Sequence, residues 1–297
     1  MNYGLVDIGS NTIRCNVYHI LENKEFELLF SKKYTAGLAA YVESGSLSKK
    51  GISKLLRILK GIRLMTDQVD LEKLYVFATA SLRGINNSEE VLMEVKEETG
   101  IEIELISQEE EAILGFLGIQ HATSVEKGVS CDIGGGSTEI VLFDRGLEEK
   151  ILKLDQGSLS LYRRFVDKIL PSKKEIHKMK SFIRDKLSKY DSTPKFNTLV
   201  GIGGSVRAAR NVIMEIYGTK KGEPFSVNMA KDLLDRIEEK NRETISMLLK
   251  VSPDRIHTFT PGLIILLELC RHFKVKEVKV CDNSIREGYL IKRLGEL

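Results

Sequence analysis

The segment Cys131–Glu139 places three consecutive glycines between two acidic residues, and it constrains the fold more than any other part of the chain. Short apolar runs rich in Val and Ile lie on both sides of it, Gly128–Ile133 and Ile140–Phe143. Because such runs around a glycine turn are typical of paired strands, the pattern predicts strand, tight turn and strand. Glycine has no Cβ, so the backbone can adopt positive φ there and a ligand can approach its N–H groups.

A turn of this kind is suited to binding phosphate, because successive N–H groups that point inward form an anion-binding concavity. Asp132 and Glu139 flank the turn. Two carboxylates would repel a bound phosphate unless a cation lay between them, so the pattern indicates Mg²⁺. An ordinary glycine-rich hairpin is the structural alternative for this stretch taken alone.

A second copy of the pattern opens the chain. The segment Gly4–Arg14 contains an apolar strand, the sequence Asp7-Ile8-Gly9, a small polar turn and the start of another strand. Asp7 and Asp132 are separated by about one domain length. A repeat on this scale predicts two related halves. We expect their two phosphate-binding turns to face each other across a cleft.

Composition narrows the class of protein. A chain of 297 residues with 42% hydrophobic and 29% charged residues suits about two globular domains. The net charge of +3 is too small to predict nucleic-acid binding, although clusters such as Arg163-Arg164 and Lys173-Lys174 would suit a polyanion. The four cysteines are isolated, which predicts neither a zinc site nor a disulfide framework and fits the cytoplasm. We expect no signal peptide and no membrane span.

Several common site motifs are absent from the sequence. It contains no G-x-x-x-x-G-K-[ST], no H-E-x-x-H and no G-x-S-x-G, which argues against a P-loop enzyme, a zincin and a serine hydrolase. A third glycine-rich segment, Gly201–Ser205, follows a predicted strand. Its spacing does not match the dinucleotide-binding fingerprint because position 206 is Val.

Hydrophobic periodicity predicts alternating strands and helices over the rest of the chain. Three strands are expected in residues 3–30, with a turn near Glu22-Asn23-Lys24. Ser107 and Glu110 form a capping box, and Glu111 lies at the edge of the buried face of the helix that follows. Further predicted features are a helix from Lys49, an N-cap at Ser88, a strand over Ile101–Ile106, a helix over Val206–Tyr217, and an N-cap at Thr260 before Pro261.

Taken together, these segments resemble the exopolyphosphatase / guanosine pentaphosphate phosphohydrolase family, within the actin, sugar kinase and Hsp70 fold superfamily. The matching pieces follow the family order and span nearly the whole chain. They are Asp7-Ile-Gly-Ser-Asn-Thr-Ile-Arg14, Thr79-Ala-Ser-Leu-Arg83, Ile106-Ser-Gln-Glu-Glu-Glu-Ala112, Asp132-Ile-Gly-Gly-Gly-Ser-Thr-Glu139, Gly201-Ile-Gly-Gly-Ser-Val-Arg207, Pro253-Asp-Arg255, Pro261-Gly262 and Ser284-Ile-Arg-Glu-Gly288.

The resemblance implies an α/β fold with two ribonuclease-H-like domains and an interdomain cleft. The expected domains are residues 1–124 and 125–297, with a terminal helix that can pack back on the first. This looks like the short, two-domain form of the family. A homodimer is the family expectation.

The activity implied by the resemblance is release of the terminal phosphate from inorganic polyphosphate or from guanosine pentaphosphate, with Mg²⁺. The residues alone leave two other classes open. One is an actin-like kinase of a small molecule, and the other is a non-catalytic sensor of polyphosphate or of the guanosine alarmone.

By residue, the resemblance matches Glu111 to the proposed general base and Arg83 to a phosphate-contacting arginine. It matches Asp132 and Glu139, with Asp7, to acidic positions tied to the metal. The expected phosphate-binding residues are Asp7, Gly9, Ser10, Asn11, Arg14, Gly134, Gly135, Gly136, Ser137, Gly203, Gly204 and Ser205. The sequence departs from the family pattern at three positions, which concern specificity more than chemistry: Gln108, Ser205 and His257.

Overall fold

The computed structural model describes residues 1–22, 25–190 and 194–295. These form two compact units, Met1–Glu111 together with the chain end from Arg293, and Ala112–Lys292. Each unit contains a sheet and helices, so the predicted α/β class is confirmed. Asn23 and Lys24 of the predicted Glu22–Lys24 turn lie outside the described residues.

The first unit is built on a five-stranded sheet. Its strands are β1 Asn2–Ile8, β2 Thr12–Ile20, β3 Phe26–Thr35, β6 Lys73–Ala78 and β7 Glu104–Leu105, and a separate hairpin holds β4 Val42–Glu43 and β5 Ser46–Leu47. Its helices are α1 Lys49–Thr66, α2 Ala80–Arg83 and α3 Ser88–Thr99, and α4 Gln108–Ala122 begins in this unit.

The strand order of this sheet is β3-β2-β1-β6-β7. The first three strands pair antiparallel, whereas β1, β6 and β7 run parallel. Side chains alternate along a strand, so Val6 and Ile8 face the core with Ile13, and Asp7 points to the other side. Parallel strands end at one edge of a sheet, so Asp7 shares that edge with the residues that follow β6 and β7.

The second unit contains a six-stranded sheet. Its strands are β8 Gly128–Ile133, β9 Thr138–Asp144, β10 Leu147–Leu154, β11 Thr198–Ile202, β12 Phe225–Ser226 and β13 Glu277–Val280. Its helices are α5 Ser158–Phe165, α6 Lys173–Ser188, α7 Gly203–Tyr217, α8 Val227–Glu238, α9 Arg242–Val251, α10 Ile256–His272 and α11 Ile285–Gly295, with a 3₁₀ turn at Pro253–Arg255.

This second sheet repeats the topology of the first. Its order is β10-β9-β8-β11-β13-β12. The strands β10, β9 and β8 pair antiparallel, and β8, β11 and β13 run parallel. Apart from the edge strand β12, the sequence of antiparallel and parallel neighbours is that of the first unit. The internal repeat predicted from Asp7 and Asp132 is therefore confirmed at the level of the sheets.

Helix α10 packs at the centre of the second unit. Every residue in Thr258–Cys270 is buried, which is typical of a helix surrounded by other elements. The predicted helix start at Thr260 and Pro261 is wrong, because the helix begins at Ile256 and passes through Pro261. Pro261 has no N–H to donate within the helix. The helix still forms before it, because helical backbone there buries Phe259, whose exposed fraction is 4%.

Other predicted boundaries differ from the structure by a few residues. Asn87, rather than Ser88, is the N-cap of α3, and the strand predicted over Ile101–Ile106 is limited to Glu104–Leu105. Helix α7 begins at Gly203 instead of Val206. The capping box is confirmed, because Glu110 N–H donates to Ser107 Oγ at 3.1 Å. Among the described residues, no helix combines the length and apolar character that a bilayer span requires.

Candidate active site

The two Asp-Ile-Gly turns have the same geometry. In the first, Asp7 lies opposite Arg14 in the strand register, and the Gly9 N–H donates to the Thr12 carbonyl at 3.0 Å. In the second, Asp132 lies opposite Glu139. There the Gly134 N–H donates to the Ser137 carbonyl, also at 3.0 Å. The repeat therefore extends from the sheets to the hydrogen bond that closes each turn.

The first turn has its carbonyl groups bonded and its N–H groups available. The carbonyl of Ser10 accepts a hydrogen bond from Ala39 N–H at 3.0 Å, and that of Asn11 accepts one from Gly37 N–H at 2.8 Å. Within the described part of the chain, the N–H groups of Ser10 and Asn11 donate no hydrogen bond. An anion at this turn would satisfy both donors.

The second turn shows the same pattern, with helix α5 as the donor. The N–H of Ser158 donates to the Gly134 carbonyl at 2.9 Å, and that of Leu159 donates to the Gly135 carbonyl at 2.9 Å. Over the ranges that the structure describes, the N–H groups of Gly135 and Gly136 donate no hydrogen bond. The turn thus holds its carbonyls against α5 and leaves donors for a phosphate.

The three glycines of this turn do not adopt positive φ. Gly134 avoids a crowded contact, since a Cβ there would lie 3.2 Å from the Ser137 carbonyl oxygen. Gly157, which precedes α5, is more tightly placed. A Cβ there would lie 2.5 Å from both the Gly134 oxygen and the Gly135 carbonyl carbon. The Gly157 backbone therefore packs directly against the Gly134–Ser137 turn and holds it in place.

Arg83 and Glu111 form an ion pair in the first unit. Arg83 Nη1 donates to Glu111 Oε2 at 3.1 Å and to the Ile106 carbonyl at 2.8 Å. Glu111 is buried, with an exposed fraction of 8%. Among the described residues, Arg83 Nε and Nη2 donate no hydrogen bond. The guanidinium therefore holds the carboxylate and keeps donors for a further anion.

Local structure places both side chains near the end of β1. Ser81 Oγ in α2 donates to the Ile8 carbonyl at 2.5 Å, which ties the helix carrying Arg83 to the strand carrying Asp7. Glu111 lies in the first turn of α4, where its N–H donates to the Ser107 carbonyl at 2.9 Å. The partial positive charge of a helix N-terminus stabilises a carboxylate at this position.

The residues opposite Asp7 and Asp132 differ in charge. Asp132 faces Glu139, so two carboxylates project from neighbouring strands on the same side of the sheet. Asp7 faces Arg14, whose Nη1 also donates to Ser31 Oγ at 3.2 Å. A cation is more compatible with the carboxylate pair, whereas an anion is more compatible with a site that includes Arg14.

The carboxylates of Asp132 and Glu139 suit Mg²⁺ if the substrate also supplies oxygen ligands. Across the described residues, no three His, Cys, Asp or Glu side chains form a cluster that could hold a metal ion. Mg²⁺ is usually bound through one or two carboxylates together with water and substrate phosphates. The pair Asp132 and Glu139 fits that requirement, provided that the substrate supplies further oxygen ligands.

The third glycine-rich segment, Gly201–Ser205, contains the end of β11 and the first turn of helix α7. Gly203 has φ +82°, and a Cβ there would collide with Asp132 Oδ1. Ser205 is buried, and its Oγ has no hydrogen-bond partner within the described ranges. The first N–H groups of a helix have no partner inside the helix, so this end of α7 can bind an anion.

Two residues near the turns were missed by sequence reasoning. The Arg255 guanidinium packs against Gly204, where a Cβ would overlap it. Gly157 supports the second turn, as described above. Arg255 lies in the Pro253-Asp-Arg255 motif, which could have indicated it. The Gly157-Ser158 pair at a helix start could have indicated Gly157.

Comparison with known proteins gives consistent matches. The model of the Ppx/GppA phosphatase family matches residues 17–297. Exopolyphosphatase 1 of Mycobacterium tuberculosis is 24% identical over 314 residues, which cover 99% of this chain and 88% of that protein. The crystal structure of the Aquifex aeolicus Ppx/GppA family member is 25% identical, with a TM-score of 0.84, covering 100% of this chain and 98% of the other.

A further crystal structure supports the fold alone. The exopolyphosphatase from Cytophaga hutchinsonii has a TM-score of 0.89 at 20% identity and covers 100% of this chain and 99% of its own. At 20% identity, this structural similarity shows a shared fold and nothing about function.

Proposed function

Because the chain belongs to the Ppx/GppA phosphatase family, we propose that it is a hydrolase that releases terminal orthophosphate from inorganic polyphosphate. The family supplies the reaction class, cleavage of a phosphoanhydride bond by water. The exopolyphosphatase name of the M. tuberculosis relative favours polyphosphate as the substrate.

The observation that carries the proposal is the buried Glu111 carboxylate paired with Arg83. A hydrolase needs a base that can take a proton from water, whereas a sensor does not. A buried charge is costly unless it is paired, so its retention at the sheet edge supports a chemical role. A structural ion pair is the competing explanation, and the tests below separate the two.

The proposed reaction uses the chain's own groups as follows. In the first unit, N–H groups of the turn after β1 and free donors of Arg83 bind non-bridging oxygens of phosphate. In the second unit, N–H groups of the turn after β8 bind phosphate in the same way. Glu111 accepts a proton from a water molecule as its oxygen attacks the terminal phosphorus. The bond from that phosphorus to the bridging oxygen breaks, and the shortened chain leaves as an oxyanion.

We propose that Asp132 and Glu139 hold Mg²⁺, which when bound would neutralise charge on the phosphates. Asp7 lies beside Arg14 and is proposed to orient that guanidinium toward phosphate instead of binding metal by itself. Gly203, Gly204 and Ser205 are proposed to bind phosphate, because the first N–H groups of α7 have no partner inside the helix and the Arg255 guanidinium packs against Gly204.

One assay tests the proposal. Orthophosphate release is measured from long-chain polyphosphate, tripolyphosphate and guanosine pentaphosphate, each with Mg²⁺ and with excess EDTA. We expect Mg²⁺-dependent release from polyphosphate. Failure to release phosphate from any of the three, or ATP-dependent phosphorylation of a small molecule in its place, would contradict the assignment.

A further inference from the structure

We propose that the exposed face of α6 together with the end of α5 is a docking surface for the distal part of a long polyphosphate chain. This basic surface is defined by Arg164, Lys173, Lys174, Lys178 and Lys186. The inference rests on the proposed function and extends it, because it identifies long polymeric substrate rather than a nucleotide as the preferred class.

The first observation is the distribution of charge. Residues 163–189 contain ten Lys and Arg but only three Asp and Glu, whereas the whole chain has a net charge of +3. The rest of the chain is therefore net negative. A positive region of this strength on a nearly balanced protein produces a local field that attracts a polyanion.

The second observation is that the lysines of this surface are exposed and form no ion pairs within the described residues. Lys173, Lys174 and Lys178 are exposed, and none of them forms an ion pair within the described residues. The apolar stripe of α6 faces the core through Ile176 and Met179, so the lysines lie on the solvent side. The pKa of Glu175 is lowered mainly by the hydrogen bond from the Ser172 N–H, and the nearby Lys178 adds to this by its charge alone, so all three lysines can meet a ligand without breaking an ion pair.

The third observation is that two further cations share one ring. The Arg164 guanidinium lies 4.4 Å from the centroid of Phe182, and Lys186 Nζ lies 5.5 Å from it. Like charges repel, so holding both on a single aromatic side chain is more favourable when an anion lies nearby. Phe182 therefore keeps part of the basic surface in place.

Position links this surface to the second turn. Helix α5 starts at Ser158, which bonds the Gly134 carbonyl, and its eight residues extend about 12 Å from the turn. Helix α6 meets the end of α5 where Phe165 packs against Phe182, with 5.2 Å between the ring centroids, and its 16 residues present about 24 Å of surface. A long polyphosphate bound at the turn can follow α5 to this contact. The triphosphate of guanosine pentaphosphate is too short to reach it.

The test compares two variants that change the net charge equally. The first is Lys173→Gln, Lys174→Gln and Lys178→Gln. The second, the control, is Lys231→Gln, Lys240→Gln and Arg242→Gln, which are exposed residues of α8, of the turn that follows it and of α9, where acidic residues are interspersed. Lys173 is the first residue of α6, where a positive charge is unfavourable, so its loss does not weaken the helix.

We expect the first variant to raise KM for long polyphosphate about tenfold at low salt, with kcat unchanged, because three screened surface charges are removed. The KM for tripolyphosphate stays unchanged, and so do both constants in the control. Equal KM values for long polyphosphate in the two variants would overturn the inference, as would an equal rise for tripolyphosphate.

Direct binding keeps this test separate from the proposed function. If no substrate is hydrolysed, the Kd of end-labelled long polyphosphate is measured at increasing KCl, and we expect the same tenfold weakening and a shallower salt dependence in the first variant. Single-stranded RNA with the same number of phosphates serves as competitor. RNA that binds the basic surface more tightly than polyphosphate would overturn the choice of ligand.

Discussion

Arg83 Nη1 lies 3.1 Å from Glu111 Oε2, and the same nitrogen lies 2.8 Å from the carbonyl oxygen of Ile106. One guanidinium nitrogen therefore bridges the short helix α2, the end of β7 and the first turn of α4. This arrangement fixes the direction of the Glu111 carboxylate. It also makes Arg83 a positioning group as well as a phosphate ligand in the proposed reaction.

Arg83→Gln is expected to lower kcat/KM for polyphosphate by about 10- to 1,000-fold, because the phosphate loses a charged donor and Glu111 loses its partner. In a double-mutant cycle with Glu111→Gln, the two losses are not additive, and the coupling is about 1–3 kcal/mol. Additive losses would mean that Arg83 does not act through Glu111. The measurement is kcat/KM from steady-state phosphate release by the wild type, the two single variants and the double variant.

Gly203→Ala is expected to destabilise the protein and impair turnover. The residue has φ +82°, which costs about 1–2 kcal/mol for alanine, and the new Cβ collides with Asp132 Oδ1. Gly218→Ala is the matched control, because Gly218 lies at the other end of α7 with φ +72° and nothing within 4 Å of its Cβ position.

Urea unfolding and the apparent Kd for Mg²⁺ are measured on both alanine variants. The Gly218→Ala control loses only the free energy of unfolding that positive φ costs an alanine, and its Kd for Mg²⁺ is that of the wild type. The Gly203 variant loses more stability and binds Mg²⁺ more weakly, because Asp132 is displaced. Identical behaviour of the two variants would argue against the contact between Gly203 and Asp132.

Gly157→Ala is expected to raise KM for polyphosphate about tenfold or more, because a Cβ 2.5 Å from the Gly134 oxygen must push the turn away from α5. Gly61→Ala is the control. Gly61 lies inside α1 with nothing near its Cβ position, and alanine there stabilises the helix by about 0.5–1 kcal/mol. Wild-type KM in the Gly157 variant would show that the turn does not bind substrate.

The four cysteine thiols are expected to be inert in the native protein at pH 8. Burial raises the pKa of Cys15 to about 11, that of Cys281 to about 11 and that of Cys270 to about 12. Burial also raises the pKa of Cys131 well above its ordinary value. Thiolate is the reactive form, so a disulfide reagent labels four thiols in denaturant and almost none without it. Rapid labelling of the native protein would contradict the buried positions.

Local sequence was sufficient to predict the two strand–turn–strand units. The alternation around Asp7 and Asp132 and the glycines between strands depend on neighbouring residues only, and these predictions were confirmed. The capping box at Ser107 and Glu110 was predictable for the same reason. Its three-residue spacing is a local property of a helix start.

Contacts between distant residues were not predictable in this way. Arg255 reaches Gly204, and Gly157 supports Gly134, only after several elements have packed together. The passage of α10 through Pro261 also depends on burial by surrounding helices, which overrides the local preference of proline. The roles proposed for the site residues remain predictions until the variants are measured.

The central claim is that Glu111 is the base of a phosphoanhydride hydrolase, and the most direct test is the turnover of Glu111→Gln on long-chain polyphosphate. Glu110→Gln is the control, because glutamine keeps the capping box. We expect kcat to fall about 10²–10⁴-fold in the Glu111 variant, with the unfolding midpoint and the Kd for polyphosphate unchanged, and to stay at the wild-type value in the control. A Glu111→Gln protein that releases phosphate at the wild-type rate would contradict the account.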